Sequence, residues 1–238
     1  MRKALAIVAL TASLGMLVGC AQAPTWTTNG ISGVGLTDED TAGIDGFVAE
    51  IEEDGDTREP ESTDYESFPG VPEECLAVYQ PDVAFSNHSV EIMLNSIGTD
   101  EVNVGETGVF LYSDESGAKE DFEAYIEGID NGGCLESDVV TTILGLDEST
   151  TVTAEKIDPH CATDCRMLQV RSVVTPSDGG DKIDRTVWFT FMQRGNAVIA
   201  LLLYSEISSS STGSSWFTVD QAVALANLQS AKFNSYDG

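Results

Sequence analysis

The sequence predicts an α+β fold in which a largely antiparallel β-sheet of five to six strands packs with two or three helices and is stapled by disulfides. Three observations lead to this prediction. Apolar strand-like runs over 187–192 and 197–204 are separated by a Gly195-Asn196 turn, which is typical of a β-hairpin. Apolar residues recur at helical spacing after Glu115 and after Thr218. The chain also has four cysteines downstream of its N-terminal region.

The hairpin is the clearest pair of strands. Val187 and Phe191 fall on one strand face and Trp188 and Met192 on the other, so both faces are apolar and we expect a central place in the sheet. The other predicted strands are Val104–Tyr112, Val139–Leu144, Thr150–Ile157 and Cys165–Val174. The second and third of these are expected to pair with each other.

Three helices are predicted. The first is short and covers residues 71–80. The second has an apolar stripe at helical spacing, made of Ala118, Phe122, Tyr125, Ile126 and Ile129. The third covers Val219–Asn234, and Thr218 with Gln221 forms the capping-box pattern that begins it.

The N-terminus has the pattern of a bacterial lipoprotein export signal. Arg2 and Lys3 precede an apolar run over 4–18, which is shorter than the roughly 20 residues that a membrane-spanning helix requires. The run ends in Leu17-Val18-Gly19-Cys20, the order of residues in a lipobox. The Cys20 thiol is the group that receives the lipid, and the small residues before it allow the signal peptidase to reach the bond.

Cleavage before Cys20 predicts three parts of the chain. Residues 1–19 are the signal peptide, residues 20–35 a lipid-anchored tether, and residues 36–238 the exported domain. We expect this domain at the extracytoplasmic face of the cell membrane, held by diacylglycerol and palmitate on Cys20, because several acyl chains give stable anchoring.

The chain is strongly acidic, with a formal charge of −29. Removal of residues 1–19 takes away two bases and no acid, so the mature charge is −31. Such a protein is repelled by phosphate backbones, which excludes nucleic acid as a partner. The charge is explained by solubility, or alternatively by a cationic ligand or a divalent cation.

Much of this charge lies in one segment. Between Thr37 and Glu66 there are thirteen acidic residues and one base. Thr37 is expected to cap a short helix, and residues 48–68 are expected to form a flexible acidic segment. Glu50, Glu52, Asp54 and Glu61 match the spacing of a calcium loop, but Glu replaces the usual first Asp and Pro60 interrupts the following helix position.

The cysteines after Cys20 are an even set in an exported domain, which predicts two disulfides. Four cysteines allow three pairings. A tight loop at a strand entry allows Cys161 to pair with Cys165, and Cys75 then pairs with Cys134. We expect these bonds to hold the domain together.

The segment His160-Cys161-Ala162-Thr163-Asp164-Cys165 also allows other chemistry. A zinc site would use His160 and the two thiolates, with Asp164 or Cys75 as a fourth ligand. A redox pair is a further alternative, although the usual Cys-x-x-Cys spacing is one residue shorter. The oxidising compartment favours the disulfide, and no metal or other cofactor is expected.

No catalytic residues are assigned. The chain has two histidines, His88 and His160, and it lacks Gly-x-Ser-x-Gly, Ser-x-x-Lys and His-Glu-x-x-His motifs. Carboxylates are so abundant that no particular pair stands out as a glycosidase pair. We therefore expect that the protein is not an enzyme. A hydrolase of the cell envelope is the less favoured alternative.

The order of several segments resembles a known family. These segments are "GLTDED", "PEECLAVYQP", "ESGAKEDFEAYIEGIDNGGC", "QRGNAVIALLL" and "DQAVALANLQSAKF". Between Leu36 and Phe233 the chain resembles the PknH-like extracellular sensor domains of actinobacterial receptor kinases and lipoproteins. The resemblance implies an α+β domain with two disulfides and a central cleft for an extracytoplasmic ligand, and it implies no catalytic residues.

The expected function is therefore non-catalytic and sensor-like. The ligand is expected to be a small molecule, a cell-wall fragment or a protein of the envelope. The alternative is a structural or protein-interaction lipoprotein that has no small ligand.

Overall fold

A computed structural model describes residues 24–60, 68–100, 103–131, 133–146, 150–176, 180–208 and 217–237. The predicted signal peptide, the lipobox and Cys20 lie outside the described residues, and so does Glu61 of the calcium-loop pattern. Among the described residues, no helix is long and apolar enough to cross a membrane.

The described residues contain eight strands in one antiparallel sheet, and α+β is confirmed as the fold class. The strands are β1 (Glu50–Glu53), β2 (Thr57–Arg58), β3 (Val90–Asp100), β4 (Asn103–Leu111), β5 (Thr150–Ile157), β6 (Asp164–Val174), β7 (Ile183–Arg194) and β8 (Ala197–Ser208). Their order across the sheet is β1-β3-β4-β8-β7-β6-β5, and β2 also pairs with β3.

The predicted hairpin is formed by β7 and β8 at the centre of the sheet. The strands are joined at Gly195-Asn196, where Gly195 has a φ of 57°. A side chain at Gly195 would also place its Cβ 2.0 Å from the Pro24 carbonyl oxygen. Glycine is required here for both reasons, since other residues rarely adopt this backbone conformation and none fits the space.

The described helices are mostly short, and two of them are long. They are α1 (Thr28–Ile31), α2 (Asp38–Thr41), α3 (Glu73–Tyr79), α4 (Pro81–Ala84), α5 (Glu115–Asn131), α6 (Ser137–Ile143) and α7 (Val219–Ser235), with a 3-10 turn at Ser32–Val34. The predicted capping box of α7 is present: the Gln221 amide donates to Thr218 Oγ1 at 3.2 Å, and the Thr218 amide donates to Gln221 Oε1 at 3.0 Å.

The sheet is covered on both sides, so the domain has three layers. One side, the α5 face, packs against α3, α4, α5 and α6, and its strand residues include Phe110 and Phe191. The other side, the α7 face, packs against α7 and the first helical turns. Successive residues of β8 alternate between the faces: Val198 belongs to the α5 face and Ile199 to the α7 face, and both are fully buried.

Two disulfides join the elements. Cys75 in α3 is bonded to Cys134 in the turn before α6, with Cα atoms 5.0 Å apart. Cys161 is bonded to Cys165 at the start of β6, with Cα atoms 6.1 Å apart. The pairings are the expected ones, and both Cα distances fall within the usual range for a disulfide.

One predicted strand is wrong. Val139–Leu144 was expected to pair with β5, but Ser137–Ile143 forms α6. Val140 and Ile143, three residues apart, are both buried against the core beneath α5, which a helix permits and a strand would not. Thr142 Oγ1 donates to the Asp138 carbonyl at 2.7 Å, so its polar group is satisfied within the helix. Tertiary packing here overrides the preference of β-branched residues for strands.

The acidic segment also differs from the prediction. The expected helix after Thr37 is α2, a single turn with a capping box between Thr37 and Asp40. Residues 48–68 were expected to form a flexible acidic segment. This range instead contains β1 and β2, which both pair with β3. These strands were missed because exposed acidic residues give no apolar alternation, and the backbone of β3 supplies the pairing. Strand β3 was not among the predicted strands either, so β1, β2 and β3 add to the five confirmed strands and give eight instead of five to six.

The segment expected as a tether is partly packed on the domain. Trp26, Ile31 and Val34 are all buried, with at most 4% of their surface exposed. They belong to the core cluster on the α7 face. The domain's ordered packing therefore begins as early as Trp26.

Candidate functional site

An open groove lies on the α5 face of the sheet, beyond the helices. It has a volume of about 650 Å³. One row of neighbouring residues crosses it from strand to strand, and this row consists of Glu50, Gly98, Val104, Tyr204 and Val187. The helices cover the opposite end of this face, above Phe110 and Phe191, and leave the end with the groove uncovered.

The floor of the groove is apolar. Val104 leaves 41% of its surface exposed although it lies within β4, and Leu202 and Val187 are half-buried beside it. At Gly98 a Cβ atom would meet nothing within 4 Å, so the glycine leaves space open in the groove. An exposed apolar floor with adjacent free space is the usual character of a ligand pocket.

The rim of the groove is acidic. Glu50 and Glu52 of β1 line one side, and Glu106 of β4 lies in the next cross-strand row. Partial desolvation raises the pKa of Glu106 above its ordinary value, and repulsion from Glu91 adds to this, while Arg58 opposes it. The groove therefore concentrates negative charge above an apolar surface.

Tyr204, which lines the groove, belongs to a hydrogen-bonded trio. Glu206 Oε2 accepts from the Tyr204 hydroxyl at 2.6 Å and from Arg185 Nε at 2.6 Å. The hydrogen bond from Tyr204 and then that from Arg185 lower the pKa of Glu206, whereas burial and the bond to Glu206 raise the pKa of Tyr204 to about 12. The trio holds the Tyr204 ring in place as a wall of the groove.

His88 lies outside the groove and is buried under the helices. Its Nδ1 is 2.6 Å from the Phe85 carbonyl oxygen, and its ring packs edge-on against Phe110. Its Nε2 has no partner among the described residues. Beside it, buried Asp121 accepts hydrogen bonds from Asn87 Nδ2 and the Tyr112 hydroxyl, both at 2.9 Å. This cluster ties α5 to the segment before β3, with Asn87 at its exposed edge.

His160 is exposed on a loop and does not line the groove either. Its Nδ1 lies 3.2 Å from Asp158, and both side chains are mostly exposed. Neighbouring Cys161 and Cys165 are joined to each other, so neither is a free thiolate for a metal or a redox reaction. The two histidines thus differ in exposure, since His88 is buried and His160 lies on the surface.

The described residues contain no metal site, since no three His, Cys, Asp or Glu side chains in them are close enough together to hold an ion. Glu50 and Glu52 of the calcium-loop pattern instead lie on β1 and face the groove. Both residues are in an extended strand, whereas a calcium loop would have to curve these positions around the ion.

A second cavity of about 700 Å³ lies between α2 and α7. Its lining combines the acidic Asp40 and Asp220 and the capping-box residues of α7 with apolar residues such as Ile44 and Leu228. Asp40 is already engaged, because it accepts from Lys232 Nζ at 2.7 Å and from the Thr37 amide at 2.9 Å. The first groove is therefore the better candidate for a binding site.

The sequence does not reveal the groove. Its residues come from five strands, β1, β3, β4, β7 and β8. Of these, β7 and β8 are the predicted hairpin. The one local signal is the segment "NVGETGVF", where Val104 and Glu106, two residues apart, fall on the same face of a predicted strand. Nothing local places Glu50 or Gly98 beside it.

The comparisons with known proteins identify a similar fold. No family model and no curated protein matches the sequence. Among solved structures, the chain is similar to the extracellular domain of PknH from Mycobacterium tuberculosis, with a TM-score of 0.52 and 10% sequence identity. The match covers 88% of this chain and 97% of that domain. At this level of identity the similarity establishes a shared fold.

Proposed function

We propose that this protein is an exported, lipid-anchored binding protein with a non-catalytic, sensor-like role, and that the groove on the α5 face holds its ligand. The observation that carries the proposal is the groove itself, where Val104 is exposed and Gly98 leaves open space. The lipobox ending at Cys20 supports export and anchoring. The fold shared with the extracellular domain of PknH supports the sensor-like role.

The chemistry of the groove favours a ligand with a cationic group and an apolar body. Val104, Leu202 and Val187 offer the apolar surface, and burying it is favourable by about 25 cal/mol per Å². Glu50, Glu52 and Glu106 attract a positive charge at the rim. An amine-bearing cell-wall peptide or an amphipathic amine fits this combination.

Binding can be tested with a substitution that fills the groove. Gly98→Phe places a ring in the open space, and the backbone at Gly98 is compatible with other residues because its φ is not positive. Gly43→Phe is the matched control, since Gly43 also has open space around it and lies at the second cavity. The probes are muropeptides with a free amine, a long-chain diamine, and acetylated forms of both.

Thermal shift and calorimetry distinguish the outcomes. Amine probes are expected to bind the wild type and Gly43→Phe but not Gly98→Phe, and acetylated probes are expected to bind more weakly. Equal binding to all three proteins would place the ligand elsewhere. Absence of binding by every probe to the folded wild type would count against the proposed ligand class.

Anchoring is tested separately in cells. Wild type is expected to incorporate labelled palmitate and to fractionate with membranes, and Cys20→Ser is expected to lose both. A Cys20→Ser protein that keeps the label or the membrane association would contradict the lipobox assignment.

A further inference from the structure

The N-terminal segment is fixed to the turn between β7 and β8. The Trp26 amide donates to Asn196 Oδ1 at 2.6 Å, and Asn196 Nδ2 donates to the Trp26 carbonyl at 3.2 Å. Trp26 Nε1 also donates to the Arg194 carbonyl at 3.3 Å. Trp26 is 4% exposed, so these bonds are shielded from water.

Packing on both sides of the indole reinforces this attachment. The Trp26 ring lies 6.0 Å from the ring of Phe233 and 5.8 Å from that of Tyr236, both near the end of α7. The Arg194 guanidinium lies over the indole at 5.4 Å and donates to the Tyr236 carbonyl at 2.9 Å. The start and the end of the described chain are thus held at one place.

We name this end of the sheet the anchor end. It consists of the turn at residues 194–196, the disulfide loop at residues 161–165, which lies beside the turn because β6 pairs with β7, and the end of α7. The groove lies toward the other end. Tyr204 is seven residues from Ala197 along β8. At about 3.3 Å per strand residue, the groove is roughly 20–25 Å from the anchor end.

The chain between the lipid site and the domain is short. Cys20 precedes Pro24 by four residues, and a fully extended chain spans at most about 3.6 Å per residue. A lipid on Cys20 therefore lies within about 14 Å of Pro24, whose carbonyl oxygen is against Gly195. This reach is less than the distance from the anchor end to the groove.

Charge favours an orientation in which the groove points away from the bilayer. The mature chain carries −31, and carboxylates line the groove at the far end. An anionic leaflet repels these carboxylates, so tilting the groove toward the bilayer is unfavourable. We infer that the anchor end faces the bilayer and that the groove opens away from it, toward a ligand arriving from the aqueous side of the envelope.

This inference rests on the proposed lipid at Cys20. Its test attaches a synthetic lipid to Cys20, so the result does not depend on lipidation in cells. The oxidised chain from Cys20 onward is coupled through its free Cys20 thiol to a maleimide lipid in phosphatidylcholine vesicles that contain some phosphatidylglycerol. A donor dye is introduced through a ketone-bearing residue in place of His160, near the anchor end, or of Val104, in the groove. Acceptor dyes are carried on lipid headgroups.

Energy transfer from position 160 is expected to exceed transfer from position 104. A variant with a long Gly-Ser insertion between Ala23 and Pro24 is expected to lose most of this excess, because the domain is then free to rotate. Equal transfer from the two positions without the insertion, or greater transfer from position 104, would overturn the inference. A cellular Cys20→Ser result against lipidation, combined with the expected transfer here, would show that the domain has the inferred orientation on a lipid at Cys20 but that cells do not attach one, which rejects the anchoring part of the proposed function and, in cells, the orientation that depends on it.

Discussion

The hydroxyl of Tyr79 donates a 2.6 Å hydrogen bond to the carbonyl of Cys134, next to the bond between Cys134 and Cys75. The hydroxyl is buried, and burial raises the pKa of Tyr79. One helix, α3, is therefore attached to the segment before α6 by both a covalent and a polar link. This region holds the helical layer that covers one end of the α5 face.

The two disulfides are expected to stabilise the domain unequally. Cys75 and Cys134 are separated by 59 residues and Cys161 and Cys165 by 4. In the chain-entropy description, the longer loop contributes roughly 4 kcal/mol and the shorter loop roughly 2 kcal/mol. Denaturant unfolding of the two paired Cys→Ala variants tests this order. A larger loss on removing the short loop would show that native contacts of that loop outweigh loop entropy.

Asn196→Ala is expected to lower the free energy of unfolding by about 2–4 kcal/mol. The side chain is buried and makes three hydrogen bonds, one accepted from Trp26 and two donated to the carbonyls of Trp26 and Tyr112. The exposed Asn29→Ala is the control, with an expected change within about 0.5 kcal/mol. Equal losses in the two variants would mean that the Trp26 segment is not held by Asn196.

Stability is expected to fall in acid partly through Glu206. Its folded pKa lies below the ordinary value of 4.5, first because of the bond from Tyr204 and then because of that from Arg185. Its contribution is therefore fully present above about pH 4.5 and is lost as the pH falls through the folded pKa. Asp40 behaves in the same way: burial opposes the shift, but bonds from Lys232 and Thr37 leave its pKa lowered.

Glu206→Gln tests this dependence. The variant is expected to be less stable than the wild type at neutral pH, with the difference shrinking as the solution is acidified. Exposed Glu155→Gln on β5 serves as the comparison for loss of one negative charge. Unfolding free energies measured across this pH range would contradict the assignment if the Glu206→Gln curve ran parallel to that of the wild type.

Affinity for an amine ligand is expected to weaken as the pH is lowered through the raised pKa of Glu106. Desolvation and then repulsion from Glu91 favour the protonated acid, and a bound cation favours the carboxylate. Binding should therefore release protons at pH values near that pKa, which calorimetry in buffers of different ionisation enthalpy detects. Glu106→Gln should bind less tightly and release fewer protons. Unchanged proton release in this variant would assign the effect to another group.

Some elements could be predicted because their causes are local. The capping box at Thr218 needs only Gln221 three residues later, and the hairpin turn needs Gly195 in a left-handed conformation. Helix α6 was missed for the opposite reason. Its β-branched residues favour a strand locally, and burial of Val140 against the helical layer decides otherwise.

By itself, the sequence determined the hairpin, the two long helices, the α+β class and an even set of cysteines that pair as expected. Only the tertiary structure decided that β1 and β2 pair with β3 and that Glu50, Gly98 and Val104 line the same groove. It also decided that Trp26 attaches at the end of the sheet away from that groove. The physical reason is range: periodicity and caps act over a few residues, whereas strand pairing and a groove depend on backbone groups and open space supplied by distant parts of the chain.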